Sequence, residues 1–402
     1  MNNGNYNSQN GNNNNENEEI RFDESDFQDQ YSQYYSQYNG QNNSGYNGGN
    51  DSYYEPIDFS TPPPQNDTVR PQINKAKKHF SRIGLGYALF SAITLVVSVI
   101  IANLVFFLNE DFYNSSLFMN AVTPVALYVF ALPVLLIVLS GCEAKVPEKK
   151  KMGFWKWMLI LVVSFGCMYI GSYVGNFVMA YLSEVTGYDY GNALNSIIDE
   201  DNIWITAIFT VIVAPIGEEL VFRKLIIDRT NKYGAFVSIG LSALMFGLMH
   251  GNFYQFFYCF AIGIILGYIY YTTGNLFLTI ALHAAINFFG SVVTSLIAPL
   301  IDPVAEWLET ADTTNIEEMI SFIIDNPAGI ILTLAFSFFV TASMACAIIF
   351  PIVFRKKLRL SMSRGSEELP KGRVFEAVII NGGIIAMFIV YFLEFGLNLL
   401  PV

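Results

Sequence analysis

Charged residues are scarce in this chain: Asp, Glu, Lys and Arg make up 14% of 402 residues, against about 25% in a soluble globular protein. An ordinary cytosolic enzyme is thereby excluded. Cysteine is also rare. Cys142, Cys167, Cys259 and Cys346 all fall inside apolar runs, without CxxC or Cys/His metal spacing, so they read as small core hydrophobes and not as a disulfide framework. The start of the chain lacks the basic segment and apolar stretch of a cleavable signal, because the first long apolar run begins at Ile83. Membrane insertion is then expected to rely on internal helices. Neither a GxGD segment nor an HExxH motif occurs, which removes the aspartyl and the HExxH zinc types of protease. No nucleic-acid partner is expected; the formal charge of −12 lies mostly in residues 1–74, which hold 11 acidic against two basic residues, so the other 328 carry only −3.

What is present is apolar: 53% of residues are hydrophobic and the mean hydropathy is +0.39. Residues 1–74 are the exception, dominated by Asn, Gln, Tyr, Gly and Ser and ending in STPPPQND. This composition predicts a disordered tail, read as a solvated spacer with self-association as the alternative. The KAKKHF stretch follows, and its His79 is expected to be interfacial. From Ile83 onward, runs long enough to cross about 30 Å of hydrocarbon recur, near 83–108, 117–141, 154–182, 203–226, 234–250, 253–272, 276–299, 328–354 and 375–399. The fold class expected is an all-α polytopic bundle of about nine spans, with a membrane domain over 75–402. Basic clusters at 75–82, 145–151, 223–232 and 355–373 alternate with acidic stretches at 110–111, 184–201 and a loop at 301–326. By the positive-inside rule the N-terminus is cytoplasmic and the C-terminus external.

Ionisable groups inside membrane helices are costly and mark sites. Glu218, Glu219 and Arg223 lie in the fourth span, His250 ends the fifth in FGLMH, and His283 and Asn287 lie in the seventh in HAAIN. Glu219 and Arg223 stand at i and i+4, the favourable order for an ion pair. Glu218, rotated about 100° away, is left as a free carboxylate. His283 and Asn287, again i and i+4, present an imidazole and an amide on one face. A base for water, a histidine to relay a proton and neutral donors for an oxyanion are what amide hydrolysis requires. The depths conflict, however: His283 follows Leu276 by only about 10 Å of helix, so either that helix starts earlier or the 253–275 segment dips and returns.

In order, EELVFR (218–223), FGLMH (246–250) and HAAIN (283–287) resemble the EExxxR, FxxxH and HxxxN motifs of the CAAX protease and bacteriocin-processing family of intramembrane proteases. The resemblance covers about 203–290. It implies a multi-helix endopeptidase acting on membrane-associated proteins or peptides, lipidated ones included. By motif, Glu218 and His250 look like the water-activating pair, His283 and Asn287 like the oxyanion pair, and Glu219 with Arg223 like structural support. No cofactor is favoured. The alternative is zinc held by Glu218, His250 and His283, with an open fourth position, and no carboxylate partner for either histidine is apparent in the sequence. A transporter or a noncatalytic scaffold is the competing class, but no duplicate of the motif segments marks an inverted repeat. A serine mechanism at Ser242 with His283 would leave both glutamates unexplained, and Ser242 reads as a packing residue.

Overall fold

The computed structural model describes residues 69–190, 202–311, 315–361 and 365–400. The predicted tail up to residue 68, and Val402, lie outside the described residues. Among the described residues there is no strand. The reason is solvent: a segment in hydrocarbon must satisfy its own backbone, and an uninterrupted apolar run does so as a helix. The principal helices are α1 (Val69–Leu108), α2 (Ser116–Leu139), α3 (Phe154–Thr186), α4 (Ile203–Tyr233), α5 (Ala235–Met249), α6 (Phe253–Thr273), α7 (Leu276–Thr310), α8 (Ile316–Asp325), α9 (Pro327–Val353) and α10 (Gly382–Asn398).

Seven of these, α1 to α4, α6, α7 and α9, are long and apolar enough to cross a membrane. The other two expected crossings are shorter, 15 residues in α5 and 17 in α10. Helix α5 is short because it faces protein: Ser242, Ala243 and Met245 have no accessible surface, so its ends need not reach the edges of a bilayer. It packs on α6, α6 on α3, and α3 on α9, while α1 lies between α10 and α2. Small residues allow the close approaches. A Cβ at Gly263 of α6 would stand 2.9 Å from the Ala243 Cα, and one at Gly171 of α3 would stand 2.5 Å from the Tyr258 Cα.

Three boundaries differ from expectation. The first helix starts at Val69 and not at 83, because its polar turn is anchored by protein: Lys75 and Lys77 pair with Glu367 and Glu376 at 3.2 and 2.8 Å. His79 Nε2–H donates to the Arg229 carbonyl at 2.8 Å. The last helix starts at Gly382 and not at 375, since the Asn381 side chain accepts from the Ile384 N–H at 3.1 Å and caps it. The 301–326 stretch is largely helical and not a loop. Helix α7 continues to Thr310, and α8 opens with Asn315 capping Glu318 and two glutamates in its first turn. The Trp307 ring stacks on Phe322 at 4.5 Å between the two helices.

Most of the basic groups gather at one end of the bundle. Lys232 bridges Glu367 and Glu143 at 3.5 and 3.7 Å, Arg82 donates to the Val138 carbonyl, Arg229 to that of Leu139, and Asn231 to that of Lys145. These contacts tie α1 and the end of α4 to the loops after α2 and α9. The rim at this end is stepped. Lys224 and Leu276 border one cavity, yet α4 continues nine residues, about 14 Å, beyond Lys224. Glu218 therefore lies about 9 Å and His283 about 10 Å above the Lys224 level, and His250, about 22 Å along α5 from Ala235, arrives at a similar height. Helix α7 starts where expected, and the step in the rim resolves the conflict of depths.

Candidate active site

Helix α4 leaves plain α geometry where the first motif sits. Ile208–Val213 and Glu219–Lys224 are π-helical, and Phe288–Val293 of α7 is a third such turn, directly after Asn287. Widened turns recur at functional sites because they re-aim groups and loosen the carbonyl ladder. Here Asn287 Nδ2 donates to the Thr210 carbonyl at 2.8 Å, and the Thr210 and Ser291 hydroxyls meet at 3.3 Å. One amide hydrogen of Asn287 thus locks α7 to α4, and the second is left for another partner.

The expected Glu219–Arg223 pair forms. Arg223 Nε lies 3.1 Å from Glu219 Oε2, and both side chains have 0% exposure. Their contact is an ion pair and not an aligned hydrogen bond, since neither atom has a hydrogen-bond partner. Other groups hold the guanidinium in place: the Phe246 ring, whose centroid is 4.4 Å away, and the Ser242 hydroxyl, which accepts from Nη1 at 3.3 Å. Ser242 gives its own hydrogen to the Phe222 carbonyl at 2.8 Å and is fully buried. It is a support for Arg223.

A member of this group that spacing alone did not reveal is His283. Its Nδ1 lies 3.0 Å from Glu219 Oε1. Because Glu219 is held as a carboxylate by Arg223, Nδ1 carries the hydrogen and donates it. The carboxylate partner that the sequence left unseen for a histidine is therefore Glu219. Nε2 of the same ring faces Glu218, 3.7 Å from Oε2. That gap is too long for a hydrogen bond, yet one water can touch both atoms. Glu218 keeps 15% exposure while Glu219 keeps none. The two neighbours thus differ as their positions on the helix suggested, one facing a space and one sealed.

His250 ends α5 with Nδ1 2.9 Å from the Phe246 carbonyl. A carbonyl only accepts, so Nδ1 carries the hydrogen and Nε2 keeps its lone pair. The Phe246 ring stands edge-on to His250 at 5.1 Å and to His283 at 5.7 Å. It touches both imidazoles and packs on the Arg223 guanidinium. Glu218 has its ion-pair contact with His283 and none with His250. Gly251, with φ of 66°, turns the chain after His250 in a conformation costly for other residues, and Asn398 of α10 donates to its carbonyl at 3.1 Å.

Two nearby groups escaped the reading of the sequence. The Tyr128 ring of α2 lies against Gly217, beside Glu218, where any Cβ would overlap it; no periodic signal links residues so far apart in the chain. Glu394, in the last apolar run, accepts a hydrogen bond from Ser91 of α1. It could have been found by listing every charge in that run. Among the described residues, no three or more His, Cys, Asp and Glu side chains are arranged to hold a metal ion. Glu218, His250 and His283 do not form a ligand set in this geometry.

The segment that supplies all seven motif residues also answers to a family model. Residues 200–289 match the model described as type II CAAX prenyl endopeptidase Rce1-like. No curated protein and no solved structure matches the chain. The chain is a multi-pass membrane protein by its seven long apolar helices, and its residues 200–289 are similar to the Rce1-like family of CAAX prenyl endopeptidases.

Proposed function

We propose that this protein is an intramembrane endopeptidase that hydrolyses a peptide bond of a membrane-associated protein or peptide, with Glu218 as the base that activates water. The observation that carries this reading is the separation of the adjacent glutamates. Glu219 is spent on Arg223 and His283, while Glu218 faces His283 Nε2 across 3.7 Å.

In this mechanism a water donates one hydrogen to Glu218 and is oriented by the Nε2 lone pair of His250. As its oxygen attacks the carbonyl carbon, Glu218 takes the proton and the carbonyl oxygen gains the negative charge. That oxyanion accepts hydrogen bonds from Nε2–H of a protonated His283 and from the free amide hydrogen of Asn287. The C–N bond then breaks, and the proton held by Glu218 goes to the leaving amine. Glu219 and Arg223 touch no reacting atom in this scheme and act by positioning His283. The basic end is assigned to the cytoplasm, with the N-terminus inside and the C-terminus outside. Mass spectrometry of membranes containing the wild-type chain or Glu218→Gln tests the reading. New peptide termini are expected only with the wild type, and identical termini in both would defeat it.

A further inference from the structure

A cavity of about 800 Å³ opens at the basic end of the bundle, and none of the motif residues lines it. Its border includes Lys149, Lys150, Lys151 and Lys224, together with Tyr270 and Asn275. No acidic residue is part of that border. Lys224 is matched by Asp228 at 3.1 Å and Lys150 by Glu148 at 3.0 Å, whereas Lys149 and Lys151 have no acidic partner among the described residues.

The walls are fastened in place. The Lys150 N–H donates to the Thr273 carbonyl at 2.9 Å, and Trp157 Nε1–H donates to that of Leu278 at 3.2 Å. Gly274, at φ of 58°, lies directly against the Pro147 carbonyl, leaving no room for a side chain. Tyr270 donates to Asp228 at 2.8 Å. The lysine loop is thus attached to the end of α6 by backbone contacts and does not hang free.

The surroundings place the cavity at the edge of the hydrocarbon. Trp155 and Phe277 beside it are 82% and 72% exposed, and aromatic side chains in such positions sit at headgroup level. Excess positive charge above an apolar, aromatic-flanked wall fits a phosphodiester whose acyl chains run down the outside of α7. We infer that this cavity is a seat for an anionic phospholipid headgroup. It joins the two helices that carry Glu218 and His283, at Lys224 within α4 and Leu276 at the start of α7, so an occupant bridges them.

The test is binding, read without cleavage. Full-length protein in neutral detergent is titrated with short-chain phosphatidylglycerol, with phosphatidylcholine of the same chain length, and with inorganic phosphate, following the melting temperature and lipid retention in native mass spectrometry. Saturable binding of phosphatidylglycerol is expected, at least ten-fold tighter than that of phosphatidylcholine, with no comparable response to inorganic phosphate. The triple change Lys149→Gln, Lys151→Gln, Lys224→Gln should weaken it ten-fold or more, whereas Arg at the same three positions should retain it. Equal binding of both lipids, an equal response to inorganic phosphate, or unchanged affinity in the glutamine variant would overturn the inference. Running the same titration on Glu218→Gln keeps this result independent of whether the protein cleaves peptides.

Discussion

At the residue scale, the two adjacent glutamates make the sharpest test. Glu218→Gln keeps the shape and hydrogen bonding of the side chain but removes the proton acceptor, so cleavage should fall about 10²-fold or more with little change in melting temperature. Glu219→Gln instead strands Arg223, which is fully buried with its Nη2 already unpartnered. Breaking a buried pair from one side costs about 3–5 kcal/mol, so this variant should lose stability as well as activity. Melting temperature and cleavage rate of both variants on one peptide decide the matter; equal destabilisation by the two would favour a scaffold. The Glu219–Arg223 pair was legible because i and i+4 spacing is local. Its extension to His283, 64 residues away, has no periodic signature, and neither does the packing of Phe246 against both imidazoles.

At the element scale, close helix approach governs the placement of His250. Gly263→Leu would drive a side chain into the Ala243 backbone of α5, and overpacking of this kind costs about 1–3 kcal/mol. Activity should fall with it, since α5 carries His250. Gly240→Ala, on the same helix but with nothing within 4 Å of its added Cβ, should hold or raise the melting temperature, since Ala favours a helix interior over Gly by up to about 1 kcal/mol. The loop after α9 responds to pH. Partial burial pushes the Glu367 carboxyl up, but the hydrogen bond from Lys75 and the charge of Lys232 outweigh it and hold the group below its ordinary value. A depressed carboxylate stabilises the fold above its unfolded pKa, and that contribution is lost as pH falls through the lower folded value. The pair is half-exposed, so the effect is below about 1 kcal/mol. Acid titration of the melting temperature should show a shallow fall that Glu367→Gln removes. Helix existence was readable from the apolar runs, whereas the early start of α1 and the helical 301–326 stretch depend on contacts such as Lys77–Glu376 and Trp307–Phe322.

At the scale of the whole molecule, the loop contacts put residues 143–151, 229–234 and 365–376 at one end. Single cysteines at 148 and 317 should therefore label from opposite sides of a membrane vesicle, and labelling from the same side would break the alternating topology. The number of apolar segments was legible from length alone, but the stepped rim was not, because no one helix contains the information that α4 runs past Leu276. That step brings Glu218, His250 and His283 to one level, and below them lies a layer with no accessible surface: Glu219, Arg223, Ser242, Thr279 and Leu282. Such a layer acts as electrical insulation. In the proposed mechanism, the water that Glu218 activates reaches the site from one side with no continuous file of molecules to the other, so hydrolysis inside the bilayer need not discharge the ion gradients across it.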